Sequence, residues 1–272
     1  MLQDLAYGRL ENEYKPVPPR DGDTVLCFRE NTLLVKNLSN GALVFPTVAQ
    51  IPGEKQYLFR LHDVNYYLAV EPAEEGEFRY APVRGLRDSC SRSLVYAAMT
   101  GWHLYRWYRS SRFCGVCGEK TVHDEKERMM RCPHCGNMIF PRINPAVIVG
   151  VLDGDRIMLT QYAGRGYSHY ALIAGFTEIG ETMEQTVQRE VMEEVGLKVK
   201  NIRYYKSQPW GIDGNILLGY FCDLDGDDAV TLDENELALA QWHHRDALPV
   251  EDDGYSLTRE MIRVFRDGQE PR

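Results

Sequence analysis

The stretch "GFTEIGETMEQTVQREVMEEVGL", Gly175 to Leu197, decides the fold and holds six glutamates in 23 residues. Thr182 and Gln185 have the spacing of a helix-capping box, and Gly196 is a typical helix stop. We therefore predict a helix from about Met183 to Val195, entered through a glycine-containing loop.

Three of the glutamates, Glu190, Glu193 and Glu194, would lie on one side of this helix. Like charges at this spacing destabilise a helix by about 0.2–0.5 kcal/mol per pair. Carboxylate oxygens suit Mg²⁺ or Mn²⁺, and a bound cation would offset the repulsion. Arg189 can orient a glutamate through a charge-assisted hydrogen bond. The alternative is a solvated acidic helix held by ion pairs.

The fixed positions of this stretch resemble the Nudix signature, Gly-x5-Glu-x7-Arg-Glu-U-x-Glu-Glu-x-Gly-U, in which U is a bulky aliphatic residue. Gly175, Glu181 and the run "REVMEEVGL" from Arg189 to Leu197 match every fixed position. The chain is therefore identified as resembling a Nudix hydrolase.

A second pattern, "CGVCGEKTVHDEKERMMRCPHCG", contains two Cys-x-x-Cys pairs separated by 14 residues. Four thiolates at this spacing predict a closed tetrahedral zinc site with a structural role, one ion per chain, formed by Cys114, Cys117, Cys132 and Cys135. A redox or disulfide pair is the competing interpretation. We expect the three scattered cysteines, Cys27, Cys90 and Cys222, to be small buried residues.

The chain has 272 residues and a net charge of −9, which argues against a dominant nucleic-acid-binding surface. No apolar run is long enough to predict a membrane span, and the first residues lack the pattern of a secretory signal. We therefore expect a cytoplasmic protein that does not associate with membranes.

The chain divides into three predicted regions. Residues 1–108 read as a β-rich N-terminal domain ending in a bridging helix, 109–140 as the zinc ribbon, and 141–272 as the Nudix domain. In the bridging helix Arg106, Arg109 and Arg112 alternate with aromatic residues. This pattern can bind single-stranded nucleic acid, but an amphipathic helix with solvated arginines is the interpretation we favour. The predicted fold class is α+β, an α/β/α sandwich with a mixed sheet.

A zinc ribbon followed by a Nudix box resembles the NADH pyrophosphatase (NAD diphosphatase) subfamily. The matching segments are "RSSRFCGVCG", "CPHCGNMIFPRINPAVIVGV", "SQPW" and "ENELALAQW". The resemblance implies that the catalytic cations are held by the backbone carbonyl of Ala174 and the carboxylates of Glu190, Glu194 and Glu236. It also implies a homodimer in which both chains contribute to each site.

The resemblance further implies catalytic roles for the Nudix helix and a set of substrate contacts. The catalytic residues would be Arg189, Glu190, Glu193 and Glu194, with Glu193 or Glu194 as the base. The substrate-contacting positions would be Glu127, Phe140, Phe176, Gln208, Pro209, Trp210, Gly211, Ile212, Asp213, Gly214, Asn215 and Thr258.

One segment departs from the subfamily pattern. After Ser-Gln-Pro-Trp the subfamily continues Pro-Phe-Pro-x-Ser, whereas this chain reads "GIDGN" at 211–215. The loss of two prolines and the gain of two glycines predict a looser loop, and Asp213 would place a negative charge near an anionic substrate.

The expected activity is metal-dependent hydrolysis of the NAD(H) diphosphate to AMP and nicotinamide mononucleotide, with removal of NAD caps from RNA as an extension. The altered loop leaves ADP-ribose or another nucleoside diphosphate derivative as an alternative substrate. A zinc-ribbon nucleic-acid-binding or regulatory protein with an idle Nudix fold is the alternative from another class.

Overall fold

The chain forms two units in the computed structural model, which describes residues 1–39, 41–88, 90–164, 169–249 and 252–272. The N-terminal unit comprises residues 2–142 and 211–214, and the C-terminal unit comprises Met1, 143–210 and 215–272. The predicted N-terminal domain and zinc ribbon thus fall in one unit. No described helix is long and apolar enough to cross a membrane.

Short strands dominate the N-terminal unit, as the spacing of turn residues predicts. They are β1 (Leu10–Glu11), β2 (Thr24–Leu26), β3 (Phe28–Arg29), β4 (Thr32–Asn37), β5 (Leu43–Val44), β6 (Lys55–Leu61), β7 (Val64–Ala69) and β8 (Arg79–Pro82). One sheet has the order β1-β6-β7-β2; in the other, β4 pairs with β3, β5 and β8.

The bridging helix α1 spans Arg92–Ser110 and packs closely on the first of these sheets. At Gly101 an added Cβ would lie 2.2 Å from Leu26 Cδ1, so the close approach requires a glycine. The ribbon follows as three two-residue strands, β9 (Val122–His123), β10 (Met130–Arg131) and β11 (Met138–Ile139).

The C-terminal unit is built on a mixed six-stranded sheet. Its strands are β12 (Asn144–Asp153), β13 (Arg156–Tyr162), β14 (Ile173–Phe176), β15 (Val199–Trp210), β16 (Asn215–Leu224) and β17 (Leu237–His244). Their order is β15-β16-β12-β13-β17, with β14 also paired to β12. The β12–β16 pair is parallel and the others are antiparallel. This confirms the mixed sheet.

Two helices, α2 (Met183–Val195) and α3 (Leu257–Arg266), cover opposite faces of this sheet. Side chains alternate across a strand, so Val147, Val149 and Val151 of β12 pack in the core on the α2 side. Ile148 and Leu152 pack in the core that contains α3. The predicted α/β/α sandwich is therefore confirmed.

Candidate active site and zinc site

Helix α2 carries the acidic residues and begins and ends where the sequence predicts. The Thr182 hydroxyl accepts a hydrogen bond from the Gln185 backbone N–H at 3.2 Å, and the Gln185 side-chain oxygen accepts one from the Thr182 N–H at 2.8 Å. Gly196 ends the helix with φ +71°, a left-handed conformation that favours glycine. The helix ends are therefore fixed locally.

Gly175 at the start of the box makes room for a carboxylate. It lies on β14 opposite Val147, and an added Cβ would be 1.8 Å from the carboxyl carbon of Glu190. Any side chain here would displace that carboxylate. Burial raises the pKa of Glu190, while the charge and hydrogen bond of Arg189 oppose the rise.

Arg189 holds the acidic face in position. Its guanidinium donates to Glu190 Oε1 at 2.8 Å, to Glu193 Oε2 at 2.9 Å and to the Phe176 carbonyl at 2.8 Å. It also makes two bonds to Glu181, from Nε at 2.6 Å and from Nη2 at 2.9 Å. The predicted orienting role of Arg189 therefore has a geometric basis.

Glu181 is the anchor of this arrangement, a role that the sequence interpretation left unassigned. The Arg189 hydrogen bonds, with one from the Glu178 backbone N–H, lower the pKa of Glu181 to about 2. The fixed position of Glu181 in the Nudix signature is the sequence feature that could have indicated this role. Because Glu181 stays ionised, it keeps Arg189 close to the metal-binding face.

Glu194 has the most unfavourable surroundings for a carboxylate. Its side chain is only 2% exposed, and neither carboxylate oxygen has a hydrogen-bond partner among the described residues. Burial, and then the nearby charges of Glu190 and Glu236, raise the pKa of Glu194 to about 8, although the Ala174 backbone opposes the rise. A buried carboxylate without donors fits a cation-binding role.

The other predicted cation ligands lie near this group. Glu236, just before β17, is exposed and close enough to raise the pKa values of both Glu190 and Glu194. Ala174 precedes Gly175 on β14. Within the described ranges, the three carboxylates do not form a set whose ligand atoms all lie within 4.8 Å. They are spaced more widely than the thiols of the second site.

The four predicted zinc ligands do form such a set, with all four sulfur atoms within 4.8 Å of one another. Cys114 and Cys135 sulfurs are 3.6 Å apart, and Cys117 lies 3.5 Å from both Cys132 and Cys135. A tetrahedral zinc site with Zn–S bonds of about 2.3 Å places its sulfurs about 3.8 Å apart. The residues therefore fit a zinc ion.

The two halves of this site repeat the same turn. Gly118 N–H donates to the Cys114 carbonyl at 2.8 Å, and Gly136 N–H donates to the Cys132 carbonyl at 3.0 Å. Both glycines have positive φ, +79° and +77°. The backbone N–H groups of Cys117 and Val116 lower the pKa of Cys114, whereas burial and the neighbouring thiols raise the pKa of Cys117.

The remaining cysteines and the two histidines of the ribbon, His123 and His134, lie outside this set. Cys27 and Cys222 are buried, as predicted, whereas Cys90 is only partly buried. His123 forms hydrogen bonds with two tyrosines: its Nε2 lies 2.9 Å from the Tyr108 hydroxyl, and its Nδ1 lies 3.2 Å from the Tyr14 hydroxyl. Its ring therefore links the ribbon to neighbouring parts of the N-terminal unit.

Several predicted substrate contacts are accessible. Phe140 is 52% exposed and Phe176 is 55% exposed, unusual values for aromatic rings. Glu127 and Pro209 are exposed, and Trp210 and Thr258 are half-buried. Their contact with a substrate stays a prediction.

Gln208 is not accessible, unlike these residues, and its contact with a substrate stays a prediction. Its side chain is fully buried. It accepts a hydrogen bond from the Leu257 backbone N–H at 2.8 Å and donates one to the Tyr255 carbonyl at 2.7 Å. Both ends of the amide therefore hold the start of α3.

The loop at 211–214, which belongs to the N-terminal unit, is not the loose segment that its glycines predict. Ile212 is 5% exposed, and its carbonyl accepts a hydrogen bond from Trp102 Nε1 at 3.2 Å. Asp213 forms an ion pair with Arg84, so its charge is neutralised.

The glycines of this loop and the residue after it are buried as well. At Gly211 an added Cβ would lie 2.3 Å from the Met99 carbonyl oxygen, so this glycine permits close packing. Gly214 is buried, and Asn215 at the start of β16 is 9% exposed. The departure from the subfamily pattern therefore produces a packed loop.

Two protein-family models match the segments that contain these residues. Residues 142–265 match the family model of the NUDIX domain, and residues 109–140 match that of the NADH pyrophosphatase zinc ribbon domain. The two matches together cover more than half of the chain. They place the acidic helix in the first family and the four cysteines in the second.

Two curated proteins are similar to this chain over more than 60% of its length. The NAD-capped RNA hydrolase NudC of Photorhabdus laumondii is 37% identical over 171 residues, which is 63% of this chain and 66% of that protein. The protein of the same name from Erwinia tasmaniensis is 39% identical over 176 residues, 65% of this chain and 66% of that protein. The aligned part thus spans just under two thirds of each relative.

A solved Nudix hydrolase from Nitrosomonas europaea is 20% identical, covers 57% of this chain and 91% of its own, and has a TM-score of 0.49. The family models, which rest on the acidic helix and the four-cysteine cluster, carry the assignment. Residues 142–265 are therefore similar to the Nudix domain family, and they follow a segment that is similar to the zinc ribbon of the NADH pyrophosphatase type.

Proposed function

We propose that this chain is a metal-dependent hydrolase that cleaves the diphosphate of NAD(H) to AMP and nicotinamide mononucleotide, and that it also removes NAD caps from RNA. The observation that carries the proposal is Glu194, a buried carboxylate without hydrogen-bond donors beside Glu190 and Glu236. The similarity to proteins named NAD-capped RNA hydrolase indicates the substrate class.

The chemistry divides between a cation and the residues of the chain. Glu190, Glu194, Glu236 and the Ala174 carbonyl would hold Mg²⁺ or Mn²⁺, which would withdraw charge from the diphosphate and lower the pKa of the attacking water. Arg189 keeps Glu190 in place through the bond at 2.8 Å. The zinc ion held by the four cysteines has a closed shell and a structural role.

The base that accepts the proton from water is Glu193 or Glu194. Glu193 is exposed, with 58% of its side chain accessible, and Arg189 holds it at 2.9 Å. Glu194 is buried. A cation bound to Glu194 would compete with a proton there, which favours Glu193 as the proton acceptor.

A substrate panel tests the proposal. The zinc-loaded protein is incubated with Mn²⁺ or Mg²⁺ and NADH, NAD⁺, ADP-ribose or a nucleotide sugar, and the products are separated. We expect AMP and nicotinamide mononucleotide from NADH. NADH left intact while ADP-ribose is cleaved would contradict the substrate assignment but not the hydrolase assignment.

The departure of residues 211–215 from the subfamily pattern leaves ADP-ribose as an alternative substrate. Residues 211–214 replace a proline-rich segment and are packed, with Ile212 buried and Asp213 paired to Arg84. This loop therefore offers fewer free groups than a fully exposed loop would. Comparing kcat/KM for NADH and ADP-ribose in the same panel decides between the two substrates.

Two further parts of the proposal rest on the sequence. The subfamily resemblance favours a homodimer, which sedimentation or light scattering of the purified protein can test. We also propose a cytoplasmic location, which fractionation of cells can test.

A further inference from the structure

The end of α1 and the turn after it carry a net positive charge because they lack acidic residues. Residues 89–118 contain four arginines and no aspartate or glutamate, although the chain has 40 acidic residues and a net charge of −9. Arg106, Arg109 and Arg112 recur every three residues here, and all three are exposed.

These arginines have no acidic partners in the part of the chain that the structure describes. Arg109 Nη1 donates to the Tyr105 hydroxyl at 3.4 Å, and Arg106 Nη1 donates to the Ile212 carbonyl at 3.4 Å. Lys120 is also exposed, and its backbone pairs with that of Phe113. Within the described ranges, no carboxylate oxygen lies within 4.0 Å of the charged groups of Arg109, Arg112 or Lys120.

Some other exposed cations of the same unit are paired with acids. Arg29 lies 3.5 Å from Glu75, and Arg60 lies 2.6 Å from Asp63. Lys36 is paired with Glu77. A basic residue in the last turn of a helix is stabilised by the helix dipole, which accounts for Arg109 but not for Arg112 or Lys120 beyond the helix.

An exposed aromatic ring lies among these cations. Phe113 is 61% exposed, although a ring of this size is usually buried. Tyr105, in contrast, stacks on Phe28 with centroids 5.0 Å apart and is covered on that face. Phe113 is therefore the ring available for stacking.

We propose that Arg109, Arg112, Lys120 and Phe113, the basic strip, bind the single-stranded RNA that follows an NAD cap. Cations contact backbone phosphates without regard to sequence, and an exposed aromatic ring stacks on a base. This inference rests on the proposed function, since it supplies a binding surface for the RNA of a capped substrate. It predicts that RNA binding and dinucleotide hydrolysis are separable.

The test uses the triple variant R109Q/R112Q/K120Q of the full chain, loaded with zinc and supplied with Mn²⁺. Arg106 is left in place because it contacts the Ile212 carbonyl. We expect KM for a short NAD-capped single-stranded RNA to rise at least several-fold, with kcat unchanged. KM and kcat for free NADH should stay as in the wild type.

The salt dependence of RNA binding is a second measurement, and a merely structural effect would not change it. Each lost phosphate contact lowers the slope of log affinity against log salt by about 0.7 for a single strand, so the triple variant should lose about 2 units of slope. The matched control R29Q/R60Q/K36Q removes the same number and type of charges from paired positions. It should retain the wild-type slope and KM.

A triple variant that matches this control in KM for capped RNA and in salt slope would overturn the proposal. Binding of the same RNA, measured by fluorescence anisotropy without turnover, separates this outcome from failure of the proposed function. If NADH and capped RNA were not hydrolysed at all, loss of RNA binding in the triple variant alone would still support the strip, and unchanged binding would overturn it. Phe113→Ala should weaken RNA binding by roughly fivefold or more.

Discussion

Single residues of the Nudix box are explained by what they touch. Gly175 is needed because Glu190 occupies the position of its missing side chain, with the carboxyl carbon 1.8 Å from an added Cβ. Glu181 is needed because it holds Arg189 by two hydrogen bonds. The box therefore specifies both the carboxylates of the proposed cation site and the residues that place them.

Gly175→Ala should displace the Glu190 carboxylate and lower kcat/KM by about 10- to 100-fold or more, the usual cost of losing the support of a metal ligand. The forced repacking should also cost about 1–3 kcal/mol of stability. Steady-state kinetics and urea unfolding measure the two effects. Gly22→Ala is the control, since open space surrounds Gly22; equal activity of the two variants would contradict the steric argument.

Glu194 makes the metal-free protein less stable as pH rises. Its folded pKa is raised to about 8, whereas an unfolded glutamate titrates near about 4.3. The folded state therefore holds the proton more tightly, and the unfolding free energy falls between these pH values, by the order of a few kcal/mol.

Glu194→Gln should remove this loss of stability, so that the variant without metal melts above the wild type at pH 8 but not at pH 4. Thermal unfolding in EDTA-free, metal-depleted buffer across this range measures the difference. Glu178→Gln, at an exposed position, is the control and should show no such pH-dependent gain. A melting difference that does not change with pH would be inconsistent with the raised pKa.

At the scale of elements, α3 depends on a side chain from a distant strand. Gln208 on β15 bonds to the backbone of Tyr255 and Leu257 at the start of α3. Gln208→Ala would leave a buried N–H and carbonyl unpaired, at about 1–3 kcal/mol for each group.

We expect Gln208→Ala to lower the unfolding free energy by about 2–4 kcal/mol on this basis, measured by urea unfolding. Gln188→Ala on the exposed side of α2 should change it by less than about 0.5 kcal/mol. Should the two variants prove equally stable, the capping role of Gln208 would be refuted.

The zinc ribbon is the element that most depends on a bound ion. Its strands are two residues long, so the four thiolates supply most of what fixes them. Cys132→Ser should lose the zinc, about one ion per chain in the wild type, and lower the melting temperature. Zinc analysis together with calorimetry checks this, and a Cys132→Ser protein that keeps its full zinc content would contradict the assignment.

For the molecule as a whole, features that depend on neighbouring residues were predicted better than long-range packing was. The spacing of Thr182, Gln185 and Gly196 fixed the bounds of α2, because capping acts within one turn of the helix. The two cysteine pairs predicted the zinc cluster for the same reason. These features depend on residues close together in the chain.

The sequence interpretation missed contacts whose partner is far away in the chain. The subfamily resemblance assigned Gln208 to the substrate, and its contacts with Tyr255 and Leu257, 47 and 49 residues away, are not visible in the local sequence. The glycines at 211 and 214 suggested a loose loop, but Trp102, 110 residues before Ile212, bonds to that loop. Propensity describes the local chain, and tertiary packing overrides it.

The central claim is that the acidic face of α2 holds a divalent cation for cleavage of a dinucleotide diphosphate. The most direct test is the rate of AMP and nicotinamide mononucleotide release from NADH as Mn²⁺ is raised, for the wild type and Glu194→Gln. We predict saturable, Mn²⁺-dependent release by the wild type and none by the variant, with zinc content and fold unchanged. A Glu194→Gln protein that retains most of the wild-type rate would contradict the claim.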